Sequence, residues 1–363
     1  MPPITGMFTE EEVGERIEAM RRRAPQLRED RITMAHGAGG KASRALVEGL
    51  IVPLLANPAL VPLSDAASIS LGSTRFAMTT DSFVVSPLRF PGGSIGELAV
   101  NGTINDLAVS GATPLGLSAA FIVEEGLEVR VLEAEVRAMA EAAARAGVAV
   151  VTGDTKVVER GKCDQLYITT TGIGHMRQDA CLSPMLVRPG DKVIVSGTIG
   201  DHGIAIMLAR GSLDIEANLE SDTQPLHELT EAILGCAEQD VHCMRDATRG
   251  GLATVLNEIA LAAEVAVVIA EDRLPVLPAV VGAGEILGID PMYVANEGKL
   301  VAFVAADSAE AVLGAMRATP EGARAAIIGE VRDDPQGRVL GRTTFGGHRM
   351  IDMLVGDPLP RIC

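Results

Sequence analysis

Four aspartates stand where an extended segment gives way to a polar turn. They are Asp81 in Thr80-Asp-Ser-Phe83, Asp106 in Asn105-Asp106, Asp154 in Gly153-Asp-Thr-Lys156 and Asp246 in Asp246-Ala-Thr-Arg-Gly-Gly-Leu252. A single aspartate in such a place serves as a helix cap or turn residue. Several hard oxygen donors beside glycine-rich turns suit Mg²⁺, which is held by a few carboxylates together with the phosphates of a nucleotide. The loop His36-Gly-Ala-Gly-Gly-Lys41 runs into a helical pattern. There backbone N–H groups can meet phosphate, and Lys41 or Lys156 can add a point charge. The loop is not a Walker A motif, because Ala42 stands where Ser or Thr should follow the lysine; a plain turn explains it equally well. The chain's last residue, Cys363, is the other reactive candidate. Pro358 and Pro360 favour an extended, stiff segment with about 20 Å of reach, enough to enter a cleft. Arg361 favours the thiolate while the terminal carboxylate opposes it, and a frayed end that happens to finish in Cys is the alternative. Residue chemistry alone reaches a Mg²⁺–nucleotide enzyme and stops there.

The elements that must position these groups alternate. The spacing predicts a polar helix over residues 9–30, a helix over 43–55 and a strand over 76–85. A helix over 94–110, a strand over 115–124 and a helix over 131–145 follow, the last with Leu132, Val136, Met139 and Ala143 on one face. A short strand over 148–152 then delivers Gly153 to Lys156 at its end, and a strand over 167–174 closes the first half. Pro184, Pro189 and Gly190 mark a boundary. Beyond it come strands over 192–196, 241–245, 265–270 and 295–306, with helices between. The expected class is α+β or α/β, a first domain over 31–180 and a second over 181–352, with a cleft between them. Residues 1–30 form a helical extension, and 353–363 a tail.

Composition narrows the function. Hydrophobic residues make up 47% of the 363 and charged residues 22%, enough for two cores. The net charge of −17 repels nucleic acid and anionic membranes, and the absence of Trp with only two Tyr removes stacking platforms for single strands. Arg21-Arg22-Arg23 reads as a solvated helix face. The apolar run 50–63 is too short for a bilayer and is broken by Pro53, Pro58 and Pro62. No signal peptide is visible, and five cysteines without metal spacing fit a reducing cytoplasm. Cys163, Cys181, Cys236 and Cys243 read as incidental. Gly92-Gly-Ser94-Ile-Gly96 matches the nucleophile elbow of serine hydrolases. That motif needs an apolar strand running into the serine, whereas Pro87 and Pro91 precede this one.

The aspartate motifs together resemble those of the aminoimidazole ribonucleotide synthetase-like (PurM-like) ATP-binding superfamily. More narrowly, the chain resembles the HypE family of carbamoyl dehydratases of hydrogenase maturation, over about residues 31–363. The resemblance is carried by His36-Gly-Ala-Gly-Gly40, Phe90-Pro-Gly-Gly93, the stretch 151–161, Gly200-Asp-His-Gly203, Ala295-Asn-Glu-Gly-Lys299 and the ending Pro360-Arg-Ile-Cys363. A selenophosphate synthetase of the same superfamily would carry a reactive Cys near its N-terminal glycine loop, and here the first cysteine is Cys163.

The resemblance implies a two-domain PurM-like fold, with a first domain that dimerises through its mixed sheet and a C-terminal α/β domain. It implies that Cys363 receives a carbamoyl group from the carbamoyltransferase HypF. ATP-dependent dehydration would then give S-cyanocysteine, a thiocyanate, with ADP and phosphate formed. A HypC–HypD complex would accept the cyanide for the [NiFe]-hydrogenase centre. Under it, Asp81, Asp106, Asp154 and Asp246 hold Mg²⁺, and Gly39, Gly40, Lys41, Asn105, Thr155, Lys156, Arg249 and Gly250 bind ATP. Glu297 is the general base, with His202 second. Another PurM-like ligase or kinase acting on a small molecule, or a non-catalytic scaffold docking a partner by its tail, are the competing readings.

Overall fold

A computed structural model describes residues 27, 29–55, 57, 59–60, 62–211, 218–356, 359 and 362–363. The helix expected over 9–30 lies almost wholly outside these residues.

After helix α1 (Lys41–Leu46) the chain builds a five-stranded sheet. Its strands are β1 (Ala67–Leu71), β2 (Thr74–Phe83), β5 (Ala112–Glu124), β6 (Val150–Val158) and β7 (Leu166–Met176), in the order β1-β2-β7-β5-β6. A two-residue hairpin, β3 (Arg89–Phe90) and β4 (Gly93–Ser94), interrupts the sequence ahead of helix α2 (Ile95–Val109). The β5–β6 pair is parallel and is joined by helix α3 (Val129–Arg145); the other pairs are antiparallel. Met139 and Ala143 of α3 are buried as their spacing requires. α2 is buried nearly all round, because it lies between this sheet and the second half of the chain. The opposite face of the sheet is uncovered in one chain: Ile173 is 45% exposed and Met78, level with it across the β2–β7 ladder, 44%, with Ile122 on the same face.

The strand expected over 148–152 to end before Gly153 instead runs through it. Thr152, Thr155 and Val157 continue the β-branched pattern, and β6 pairs with β5 as far as Val158. Gly153 belongs in this ladder because a Cβ there would lie 2.1 Å from the Ala119 carbonyl oxygen. The segment 153–156 is therefore strand, not a loop at a strand's end.

The second half holds seven strands in the order β14-β13-β10-β12-β8-β11-β9. These are β8 (Lys192–Val195), β9 (Val241–Asp246), β10 (Ala266–Ala270), β11 (Leu300–Val304), β12 (Ala326–Arg332), β13 (Arg338–Arg342) and β14 (His348–Ile351). Its helices are α4 (Asp201–Ala209), α5 (His227–Ala237), α6 (Gly251–Ala263), α7 (Pro278–Leu287) and α8 (Ala309–Arg317). Leu252, Leu256 and Ile259 of α6 pack on one face of the sheet against Val195, Val267 and Phe303. Leu229 and Ile233 of α5 and Val312 and Met316 of α8 pack on the other, against Ile194 and Ala302. Covering on both faces is why β8, β10 and β11 read as unbroken apolar runs. The strand expected over 295–306 is shorter, and residues 295–299 are left as a loop facing the first sheet.

Candidate active site

Oxygens of Asp65, Asp106 and Asp246 lie within 4.8 Å of one another. Asp106 projects from α2, Asp246 ends β9, and Asp65 stands two residues before β1. Thr79 Oγ1 donates to Asp106 Oδ2 at 2.7 Å, and Arg245 Nε meets Asp65 Oδ1 at 2.7 Å. Burial holds Asp106 and Asp246 well above the usual carboxylate range, and neighbouring carboxylates push the same way. Burial likewise raises Asp65 to about 6 against the pull of Arg245. Asp81, near the end of β2, belongs to the same field: burial raises it and Arg249 lowers it. Carboxylates crowded this closely resist ionising together, and a hard divalent cation relieves that repulsion. The buried Oε1 of Glu297, which has no hydrogen-bond partner, fits the same need.

Asp154 is not part of this group. Asp81 is level with Thr170, Thr170 with Ala119, and Ala119 with Gly153, so three strand spacings separate Asp81 from β6. That is about 14 Å within one chain. Asp154, Thr155 and Lys156 are all exposed, and Lys156 Nζ lies 2.6 Å from Asp154 Oδ2. The sequence missed Asp65 and Arg245, which enter the cluster through the fold; nothing in their local spacing marks them.

Cys363 is buried. Leu359 and Ile362 lie with it in one apolar cluster that includes Ile204 and Val294. The Val84 N–H donates to a terminal carboxylate oxygen of Cys363 at 3.2 Å, and Arg249 Nε–H donates to Cys363 Sγ at 3.1 Å. Burial pushes the thiol up to about 12; Arg249 opposes this and Glu297 adds to it. The resting group is therefore a protonated thiol; Arg361, one of the two opposed influences expected on it, lies outside the described residues. A cavity of about 340 Å³ adjoins the sulfur, lined by Met34, Val84, Tyr293 and Leu354 among others.

Glu297 sits in the 295–299 loop with its N–H donating to Asp222 Oδ1 at 3.0 Å, and Lys299 pairs with Asp222 at 3.1 Å. Burial, then Asp81, Asp246 and Asp222, raise the Glu297 carboxyl well above its ordinary value. Gly298 permits the approach, since a Cβ there would lie 1.9 Å from the Asp222 carbonyl oxygen. Asn105 does not point to a ligand. Its Nδ2 donates to the Glu297 and Gln224 carbonyls at 3.3 and 3.1 Å, and its Oδ1 accepts from Leu226 N–H at 2.8 Å. Its amide is spent joining α2 to two loops. His202 is fully buried, its Nε2 2.5 Å from the Ile362 carbonyl oxygen.

The glycine loop reaches this region. A Cβ on Gly40 would lie 2.3 Å from the Leu354 carbonyl oxygen, which accepts the Lys41 N–H at 2.8 Å. Gly39 is pressed against the Arg249 carbonyl, its N–H donates to Ser43 Oγ, and Lys41 Nζ pairs with Asp352. Gly250, at φ +75°, starts α6 in the left-handed conformation. Gly39, Gly40, Lys41, Arg249 and Gly250 thus converge, although Leu354 and Ser43 already take two of the loop's N–H groups. Ser94 is 3% exposed and its Oγ has no hydrogen-bond partner, so no base stands ready to activate it.

Family models for the AIR synthase related protein match the chain in both halves, the N-terminal domain over residues 63–176 and the C-terminal domain over 188–342. Carbamoyl dehydratase HypE of Rhodobacter capsulatus is 51% identical over 340 residues, covering 93% of this chain and 99% of that protein. A crystal structure of a HypE–HypF complex superimposes with a TM-score of 0.81 at 45% identity, covering 85% of this chain and 100% of the other. A structure of the hydrogenase maturation protein HypE in complex with ATP gives a TM-score of 0.77 at 44% identity, covering 92% and 100%. Matched across both halves at this identity, with the clustered aspartates and buried terminal thiol in one cleft, the chain belongs to the carbamoyl dehydratase HypE family, on the PurM-like fold.

Proposed function

We propose that this protein dehydrates an S-carbamoyl group on Cys363 to S-cyanocysteine at the expense of ATP. The observation that carries the reading is the burial of the Cys363 thiol against Arg249, within the field of Glu297 and beside the aspartate cluster. HypF would supply the carbamoyl group and a HypC–HypD complex would take the cyanide for a [NiFe]-hydrogenase centre. The work belongs in the cytoplasm. The five cysteines, which form no disulfide among the described residues, suit that compartment.

The amide oxygen of the carbamoyl group is a poor leaving group. Transfer of the γ-phosphoryl of ATP to it releases ADP and leaves an imidate phosphate. Loss of phosphate with that oxygen breaks the C–O bond; one nitrogen proton goes to Glu297, the other departs with phosphate, and S–C≡N remains. The chain's part is positioning and charge balance. Arg249 holds the sulfur, Glu297 must ionise before it can take a proton, and Gly39, Gly40, Lys41 and Gly250 form the wall assigned to the phosphates. Mg²⁺, held by Asp81, Asp106 and Asp246 with Asp65 added, would neutralise charge on the transferring phosphoryl group.

Residues 31–180 form the nucleotide-binding unit and 181–352 the second unit. The chain pairs as a homodimer through the uncovered face of the first sheet, which would bury Met78 and Ile173. Asp154, Thr155 and Lys156 act on nucleotide only if such a dimer carries them to the partner's site.

Intact mass spectrometry after incubation with Mg·ATP and an enzymatic carbamoyl donor tests the reaction. A carbamoyl adduct mapped to Cys363, converting to a cyano adduct only with ATP, is expected. An unmodified Cys363, with the donor active and ATP still consumed, would favour a small-molecule kinase or ligase.

A further inference from the structure

His202 has no exposed atom, yet both of its ring nitrogens are engaged. Nε2 lies 2.5 Å from the Ile362 carbonyl oxygen, and a carbonyl can only accept. The proton is therefore on Nε2, and Nδ1 accepts from Ser221 Oγ at 2.7 Å. Ser221 can donate that proton because its own lone pair is taken by the Thr223 N–H at 3.2 Å. The direction of the chain is thus set at each link: Thr223 N–H to Ser221, Ser221 O–H to His202, His202 N–H to Ile362. Two further contacts hold the parts. Phe90 meets the His202 ring edge-on at 5.6 Å between centroids, and the Ser221 N–H is tied to the Pro91 carbonyl at 2.8 Å. Burial also lowers the imidazole's proton affinity, which keeps it neutral.

We infer that His202 is a positioning residue: with Ser221 it forms a directed hydrogen-bond relay that latches the tail by the Ile362 carbonyl and so sets the Cys363 thiol against Arg249. The relay grips main chain, one residue before the reactive sulfur, so it holds the tail equally with a thiol, a carbamoyl or a cyano group on it. Together with the Val84 N–H on the Cys363 terminal carboxylate, it makes two main-chain anchors bracketing the sulfur. The tail can present its thiol to a partner only when both are released. His202 is then not a proton acceptor from substrate, since its one lone pair faces Ser221. This inference rests on the reading of Cys363 as the carrier of the reacting group.

The test measures alkylation of Cys363 by iodoacetamide, mapped by peptide against the other cysteines, beside the single-turnover rate of cyano-adduct formation. His202→Leu keeps the bulk and loses the donor; alkylation should rise about tenfold, the effect of one buried hydrogen bond on the closed–open equilibrium, and cyano formation should slow. His202→Gln returns an N–H donor to the same place and should restore both rates to within about threefold of the natural protein. Ser221→Ala frees the tautomer and should raise alkylation about threefold, and this variant decides the matter if His202→Leu does not fold. Unchanged alkylation in His202→Leu or, failing that, in Ser221→Ala overturns the latch, as does a Gln variant that behaves like Leu. A natural protein that shields Cys363 but never forms a cyano adduct refutes the proposed reaction and leaves the latch standing on its alkylation rates.

Discussion

Replacing Asp106 by Asn should make the metal-free protein more stable while removing its response to Mg·ATP. Fully charged carboxylates with oxygens within 4.8 Å of one another repel by at least about 3.5 kcal/mol per pair at an effective dielectric of 20. Arg245 neutralises part of Asp65's charge, and partial protonation removes more. A net gain of about 1 to 2 kcal/mol remains, or roughly 3 to 6 °C in melting temperature for a domain of this size. The sign follows from linkage. Asp65, Asp106 and Asp246 are all raised in the folded state, so their contribution is complete below about pH 3.8 and is lost as pH rises through the folded values. For Asp65 that window closes near pH 6; for the other two it lies higher. The natural protein in EDTA should therefore lose stability from pH 5 to 8, and Asp106→Asn should flatten that decline. Added Mg·ATP should raise the melting temperature of the natural protein most at pH 8 and leave the variant almost unmoved. An Asp106→Asn protein that melts no higher than the natural one in EDTA at pH 8, and keeps its full shift with Mg·ATP, would refute the reasoning.

Glu297→Gln should lower the rate of cyano formation by about 10² to 10⁴, the usual contribution of a general base, with nucleotide binding kept. Because the Glu297 carboxyl is held well above its ordinary value, single-turnover rates in the natural protein should climb with pH beyond the normal carboxylate range, and the variant should lose that climb. Gly298→Ala puts a methyl 1.9 Å from the Asp222 carbonyl, so the 295–299 loop must shift. Thermal melting should show a loss of about 2 kcal/mol or more, and dehydration should fail before nucleotide binding does. Ile173→Lys places a charge on the uncovered face of the first sheet; sedimentation should then report monomer where the proposed dimer is expected of the natural chain, with the melting of each chain little changed.

Alternation of strand and helix was legible because each apolar period stands alone in the sequence, and the polar loops between were marked by glycine and proline. The candidate site was legible only where a residue sits at the junction of two such periods. Asp106, Asp246 and Glu297 lie at or near those junctions and converge. Asp154 reads like them by composition, yet β6 continues through it because Gly153 lets the strand pass beneath the Ala119 carbonyl, so the same pattern ends about 14 Å away. Asp65 shows the reverse: no local signal distinguishes it, and only the placement of β1 beside β2 and the pairing with Arg245 bring it to the cluster. The thiol makes the sharpest case. From sequence, Arg361 and the terminal carboxylate pull the thiol in opposite directions, since charge along a chain is all that sequence displays. Among the described residues the guanidinium that meets the sulfur comes from Arg249, and burial outweighs it, so Cys363 is protonated at rest. On the proposed reaction, a thiol kept neutral in the cleft would be protected from stray electrophiles between turnovers. The same burial would keep water from a carbamoyl group on the sulfur, so that one desolvated pocket would serve both states of the tail.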